Sequence, residues 1–250
     1  MAKVTPNKSP SRFYALLLLV ALSGAGVLWY VVQGAKPKPI TLNAAAATLP
    51  KAEGYLRGNP DAPVTIIEFA DFECPGCGRF AAVEEPDIRA RLIDAGLANF
   101  RFFDFPLTQV HKNTLAASLA ASCAADQGKF WELHDAIFAA QDQWNTQATE
   151  NPRKVLDGLA QQVGLDMAAY ATCFDSQKNL PRIQAHQQAG IERGVSSTPT
   201  LVIGDQMYAG GLRFDELRKL VDSLAAVSGK PVPGAAKTDA KADIKAPAAK

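Results

Sequence analysis

Apolar residues occur along this chain in blocks, and the first block has no helical or strand period at all. Residues 13–32 (FYALLLLVALSGAGVLWYVV) run about 20 positions without a charge, and a helix rising about 1.5 Å per residue crosses a hydrocarbon core of about 30 Å over that length. The run predicts a transmembrane anchor. A cleaved signal peptide is the alternative, because basic residues precede the run and Ala44 to Ala47 lie beyond it. Secretory apolar cores span about 7–15 residues, however, and the Ala stretch lies well past the apolar end. Lys3, Lys8 and Arg12 stand before the run and Lys36 and Lys38 after it, which favours a cytoplasmic segment over 1–12; Tyr14, Trp29 and Tyr30 suit the two interfaces. Either reading exports the rest of the chain. Residues 33–53 carry no amphipathic period and are expected to form a flexible tether, and the Lys, Ala and Pro-rich residues 229–250 a disordered tail.

Between them, residues 54–228 form a predicted domain of a size that one core can serve. Residues 64–69 (VTIIEF) are short, apolar and β-branched, as in a buried strand, and residues 101–105 (RFFDF), closed by Pro106, are a second candidate. A helix over about 75–94, bent or interrupted at Pro86, separates them and predicts a parallel βαβ unit. Helical patterning then takes over: an Ala-rich stretch over 113–127, Phe130, Leu133, Ile137 and Phe138 at helical spacing, and helices over 152–163, 166–174 and 181–193. Strand character returns at 200–203 (TLVI), turns at Gly204-Asp205 and pairs with 206–209. A closing helix over 214–227 shows Leu217, Leu220, Val221 and Leu224 on one face. The pattern is an α/β fold interrupted by a helical insertion over about 107–190.

Charge divides the same way. The chain of 250 residues has a formal net charge of +1, yet no acid precedes Glu53 and the tail holds five Lys against Asp239 and Asp243, so the ends carry +9 and residues 52–228 carry −8. A domain that acidic is a poor nucleic-acid binder, since such binding needs a basic surface to displace counterions.

All four cysteines, Cys74, Cys77, Cys123 and Cys173, fall in this exported domain, where disulfides persist. Cys74-Pro75-Gly76-Cys77 comes directly after the first strand and opens a helix. A thiolate there faces unsatisfied backbone N–H groups and the positive end of the helix dipole, which lowers its pKa and makes Cys74 the nucleophile. Cys77 lies one turn on, placed to resolve a mixed disulfide, and Pro75 suits the first turn, where a missing N–H costs nothing. A zinc site would need two more ligands at short spacing, and His111, His134 and His186 form no paired motif with the cysteines. A purely structural disulfide at this spacing would add little loop-closure entropy. Cys123 and Cys173 fall in predicted helices away from turn signals and are expected to pair with each other; two free buried thiols are the alternative.

Four motifs taken together carry a resemblance over residues 58–227: Gly58-Asn59-Pro60-Asp61-Ala62-Pro63, Asp71-Phe72-Glu73-Cys74-Pro75-Gly76-Cys77, Gln127-Gly128-Lys129-Phe130-Trp131, and Gly194-Val195-Ser196-Ser197-Thr198-Pro199-Thr200. The chain resembles the disulfide bond formation protein A (DsbA) family. That resemblance implies a thioredoxin fold split by a helical domain, and a thiol–disulfide oxidoreductase without cofactor or metal, acting on reduced exported proteins with a membrane redox partner. It places the domain on the periplasmic side of a bacterial inner membrane. It also implies a cis bond at Thr198-Pro199, beside the active cysteines, where an ordinary trans proline opening an edge strand is the alternative. Glu68 matches the family's buried acid, which would relay a proton to or from Cys77; an outward, solvated Glu is the alternative, because strand alternation leaves its face undecided. Pro75-Gly76 departs from the pattern by lacking the histidine of the family's best-known oxidase, which leaves reductase or isomerase activity open. Rivals of another class are a copper- or zinc-binding module and a chaperone-like peptide-binding module with an idle disulfide.

Overall fold

The computed structural model describes residues 11–34, 40–41 and 52–228, and within 11–34 the side chains of 13–27 and 29. Most of the cytoplasmic segment expected over 1–12, residues 35–39 and 42–51 of the tether and the tail over 229–250 lie outside the described residues. Helix α1 (Ser11–Gly34) forms a unit of its own. Its described large apolar side chains, from Phe13 to Val27 and Trp29, are exposed. The expected membrane span over 13–32 extends past the described side chains of 13–27 and 29; among the described residues no helix is long and apolar enough to cross a membrane.

In the second unit, six strands form one sheet in the order β1-β6-β5-β3-β4-β2. They are β1 (Ile40–Thr41), β2 (Tyr55–Arg57), β3 (Val64–Ala70), β4 (Ala98–Asp104), β5 (Thr200–Ile203) and β6 (Gln206–Ala209). β3 and β4 are parallel and the other neighbours antiparallel. Residues 40–41 therefore pair with β6, where the sequence predicts only tether.

The predicted βαβ unit is present, with differences that pairing and proline explain. β4 begins at Ala98 rather than at residue 101, because it pairs with the whole of β3 from Val64↔Ala98 to Ala70↔Asp104; ladder bonds, not apolarity, set its start. The connecting helix breaks at Glu84 into α2 (Pro75–Val83) and α3 (Glu85–Ile88), followed by a π-helical turn over Arg89–Ile93. Pro86 lacks an N–H and its ring crowds the carbonyl four residues back, so the helix stops ahead of it.

β3 is buried on both faces, and that places the site. Val64 and Ile66 pack with Phe80, Ile88 and Leu92, and with Leu217 and Val221 of α10 (Phe214–Ser228). Ile67 and Phe69 pack on the opposite face with Phe103, Phe105 and Ala189 of α9 (Leu180–Glu192). A Cβ at Gly190 would meet the Phe105 ring at 2.7 Å and Phe69 at 3.0 Å, so only glycine lets α9 lie this close.

The insertion runs from α4 (Thr114–Ala125) through α5 (Phe130–Ala139), α6 (Gln141–Trp144), α7 (Arg153–Gln162) and α8 (Met167–Asp175) to α9. Ala117, Ala120, Ala121 and Ala124 on α4 allow close approach, and Leu133, Ile137, Trp144, Leu156 and Tyr170 fill the space around them. Phe72 and Phe102 carry this core onto the sheet, their ring centroids 5.0 Å apart. Cys123 and Cys173 are joined by a disulfide between α4 and α8, 50 residues apart in sequence. On the chain-entropy model closing such a loop contributes about 4 kcal/mol.

Candidate dithiol site

β3 ends at Ala70, four residues follow, and α2 begins at Pro75 with Cys74 as its N-cap, φ −67° and ψ 122°. Cys74 is half-buried, and Cys77, one turn on, is fully buried; neither is in a disulfide. The Cys74 thiol donates to the Thr198 carbonyl at 3.4 Å, and the Thr198-Pro199 peptide is cis. A Cβ on Gly76 would lie 3.2 Å from Pro199 Cδ and 3.6 Å from Cys74 Sγ; glycine here keeps the proline turn against the cysteines. Glu68 points inward and is buried, which removes the solvated alternative. Cys74, Pro75, Gly76, Cys77, Thr198 and Pro199 thus come together at the end of β3 and the start of β5, with Glu68 beneath. Cys123 and Cys173 do not join them: Cys173 Sγ lies 3.9 Å from Asp126 Oδ2 and accepts from Asn179 Nδ2 at 3.5 Å.

The two thiols are driven apart in acidity. A hydrogen bond from Cys77 is the main influence holding Cys74 down, to about 5; Thr198 and the N–H groups of Cys77 and Gly76 add to it, and partial burial opposes it. The helix-start N–H groups foreseen from sequence therefore act, but behind the neighbouring thiol. Burial pushes Cys77 well above the ordinary thiol range, and its bond to Cys74 and the charge of Glu68 push the same way. Burial likewise raises Glu68 well above the usual carboxylate range, reinforced by Glu85 and Cys74. The arrangement is one thiolate poised for attack, one thiol held protonated, and one neutral carboxyl that can exchange a proton.

Sequence reading missed what fixes the loop between β3 and α2. Asp71 is buried and accepts from Glu73 N at 2.7 Å, Leu107 N at 2.7 Å and the Thr114 hydroxyl, and its Oδ2 lies 2.9 Å from His111 Nδ1. Buried Glu73 accepts from the backbone N–H groups of Asn113 and Thr146. Gln141 Nε2 donates to Phe72 O at 2.8 Å and Cys74 O at 3.0 Å. These partners come from the insertion, so the helical block holds the cysteine loop. The acids flanking Phe72 were the available signal, but their partners stand far off in sequence.

Glu85, His134 and Asp135 bring donor atoms within 4.8 Å of one another. Arg89 Nη2 at 2.8 Å and Arg57 Nη2 at 3.5 Å already meet Asp135 with positive charge, so the cluster reads as an ion-pair network rather than a metal centre.

Fold and site together define the class: a dithiol protein on the thioredoxin plan, with helices inserted between β4 and β5. A family model described as thioredoxin matches residues 51–223, and the chain belongs to that family. The chain is 31% identical over 219 residues to Na(+)/H(+) antiporter NhaA 3 of Salinispora tropica, covering 82% of this chain and 32% of that protein. It therefore spans about a third of the length of that relative. It is 24% identical to disulfide bond formation protein D of Bacillus subtilis, over 72% of this chain and 81% of that one. Among solved structures, α-DsbA1 of Wolbachia pipientis superposes with a TM-score of 0.65 at 24% identity, covering 74% of this chain and 98% of that one. This likeness shows that the fold is the DsbA type of thioredoxin fold.

Proposed function

We propose that this chain is a thiol–disulfide oxidoreductase that works as a dithiol oxidase, introducing disulfides into exported proteins through Cys74 and Cys77. The observation that carries the reading is the split in acidity between the two thiols, with Cys74 at about 5 and buried Cys77 well above the ordinary thiol value. A substrate thiolate attacks Cys74 Sγ of the oxidised pair, and Cys77 leaves and takes a proton. A second substrate thiolate then attacks the substrate sulfur of the mixed disulfide and expels Cys74 as a thiolate. A low leaving-group pKa favours that last step. The depressed pKa also stabilises the reduced fold: fully above the ordinary thiol value near 9, progressively less as pH falls, and no longer below about 5. Stabilising the reduced form makes the disulfide more oxidising at neutral pH.

The names of the Bacillus relative and of the Wolbachia structure support the reading. The uncharged run over residues 13–32 and the exposed apolar side chains of α1 support a membrane anchor. The anchor would hold the dithiol domain on the periplasmic side of a bacterial inner membrane, beside a membrane redox partner that reoxidises the pair. Reduction or isomerisation on the same site is the second reading, favoured by the absence of histidine between the cysteines.

The test is oxidative refolding of a reduced, unfolded substrate protein with the oxidised full chain at pH 7. The expected result is substrate disulfides formed at the expense of the Cys74–Cys77 disulfide. Tight copper or zinc binding without any transfer would replace this proposal with a metal-binding one, and aggregation suppression that persists in Cys74→Ser would point to a chaperone-like module.

A further inference from the structure

Cys74 is held at both its sulfur and its backbone. Its thiol donates to the Thr198 carbonyl at 3.4 Å, in front of the cis proline. Its own carbonyl oxygen accepts two bonds, from Gly78 N at 3.0 Å within α2 and from Gln141 Nε2 at 3.0 Å. The same amide nitrogen reaches Phe72 O at 2.8 Å. The two N–H donors of one carboxamide are thus matched by the carbonyls on either side of Glu73, and they fix the residue that caps α2. Gln141 is itself delivered by an anchored element. It opens α6, whose Trp144 is fully buried and donates from Nε1 to Ile137 O at 2.8 Å. Asn113 Nδ2 donates to Trp144 O at 2.9 Å, and Thr146 N donates to the Glu73 carboxylate. The turn that carries Gln141 cannot drift from the cysteine loop without breaking these bonds.

α2 leaves a seat for this side chain. A Cβ at Gly78 would lie 2.9 Å from Gln141 Oε1 and 3.2 Å from both its Cδ and its Nε2. Those atoms are the end of a flexible side chain, so alanine at 78 would push the carboxamide aside rather than part the helices. Gly78 does not have the positive φ that favours glycine, and glycine inside a helix carries a conformational cost. What the missing Cβ allows here is the close approach of Gln141.

We propose that Gln141 is a positioning residue for the Cys74 nucleophile, seated on the bare face of α2 at Gly78, through which the inserted helices set the reactivity of the dithiol. The inference rests on the oxidoreductase reading and holds for either direction of electron flow. Gln141 acts through the Cys74 peptide. Its N–H groups place the positive ends of two dipoles on the loop carbonyls. The same bonds hold the sulfur where the Cys77 thiol, Thr198 and the N–H groups of Gly76 and Cys77 act on it. Withdrawing the amide removes both effects, and each loss favours the neutral thiol.

The test is titration of the Cys74 thiolate, by its ultraviolet absorbance, in the reduced full chain of wild type, Gln141→Ala, Gly78→Ala and the double variant. Cys74 titrates at about 5 in wild type, and each single variant is expected to raise that midpoint by about 1 pH unit. The double variant is expected to match Gln141→Ala alone, because Gly78→Ala acts by displacing an amide that is no longer there. The redox potential should fall with each rise, since the reduced form loses thiolate stabilisation. A merely structural contact would lower the urea midpoint and leave the titration in place, and that result in a folded Gln141→Ala chain would overturn the proposal. Additive shifts, or no shift in Gly78→Ala, would overturn the pairing of the two residues. Should Gln141→Ala fail to fold, Gly78→Ala decides, since alanine suits a helix and every other side chain is kept: a raised midpoint supports the positioning role and an unchanged one overturns it. Failure of wild type in the refolding assay would instead overturn the oxidoreductase reading and leave these titrations standing.

Discussion

Replacing Cys74 with serine is expected to abolish disulfide transfer, whereas replacing Cys77 with serine is expected to leave the chain covalently attached to its substrate. The asymmetry comes from burial. Cys77 is fully buried and Cys74 half-buried, so an incoming sulfur meets Cys74 first, and a serine hydroxyl there cannot exchange with sulfur. In Cys77→Ser the attacking thiol at Cys74 survives while the group that resolves the mixed disulfide is gone. Adducts with an oxidised substrate should then accumulate and be visible as an added mass that a reductant removes. Cys77→Ala, which removes the donor altogether, should raise the Cys74 pKa from about 5, because the bond from Cys77 is the largest influence lowering it. Thiolate absorbance against pH reads that shift. A Cys74→Ser chain that still transferred disulfides would remove this cysteine from the chemistry.

The second large effect is expected far from any sulfur. Asp71→Ala should destabilise the fold by about 3–5 kcal/mol, because it strands buried donors that a carboxylate now satisfies. Those donors are the N–H groups of Glu73 and Leu107 and the Thr114 hydroxyl, with His111 Nδ1 on the same oxygen as Leu107 N. They join the cysteine loop, the loop after β4 and the first turn of α4, so one substitution loosens the site and the insertion together. Asp71→Asn keeps an acceptor oxygen and should lose less. Urea unfolding of the oxidised chain measures both, and a loss below about 1 kcal/mol for Asp71→Ala would show that this carboxylate does not hold the loop.

These two positions also show how far the residues could be read in advance. Cys74 and Cys77 were legible because the chemistry is local: a strand end, a proline suited to a first helical turn, and two thiols one turn apart. The helices of the insertion were legible because their apolar faces repeat at helical spacing. Glu68 was not, because β3 is apolar on both faces and alternation cannot choose between them; packing against α2 and α3 decides. Asp71 and Glu73 were not, because their partners lie about 40 residues or more away in most cases. The cis bond before Pro199 cannot be read from residue type alone, and β1 and β2 are too short to show a period. Local chemistry and periodicity were visible in the chain, and long-range satisfaction of buried polar groups was not.

A redox titration of the full chain against glutathione, monitoring the Cys74–Cys77 disulfide, tests the central claim most directly. The account predicts a single two-electron transition, absent in Cys74→Ser, at a potential well above the thioredoxin value of about −270 mV. A transition at or below that value would contradict the oxidase reading, and no transition at all would contradict a redox role for this pair.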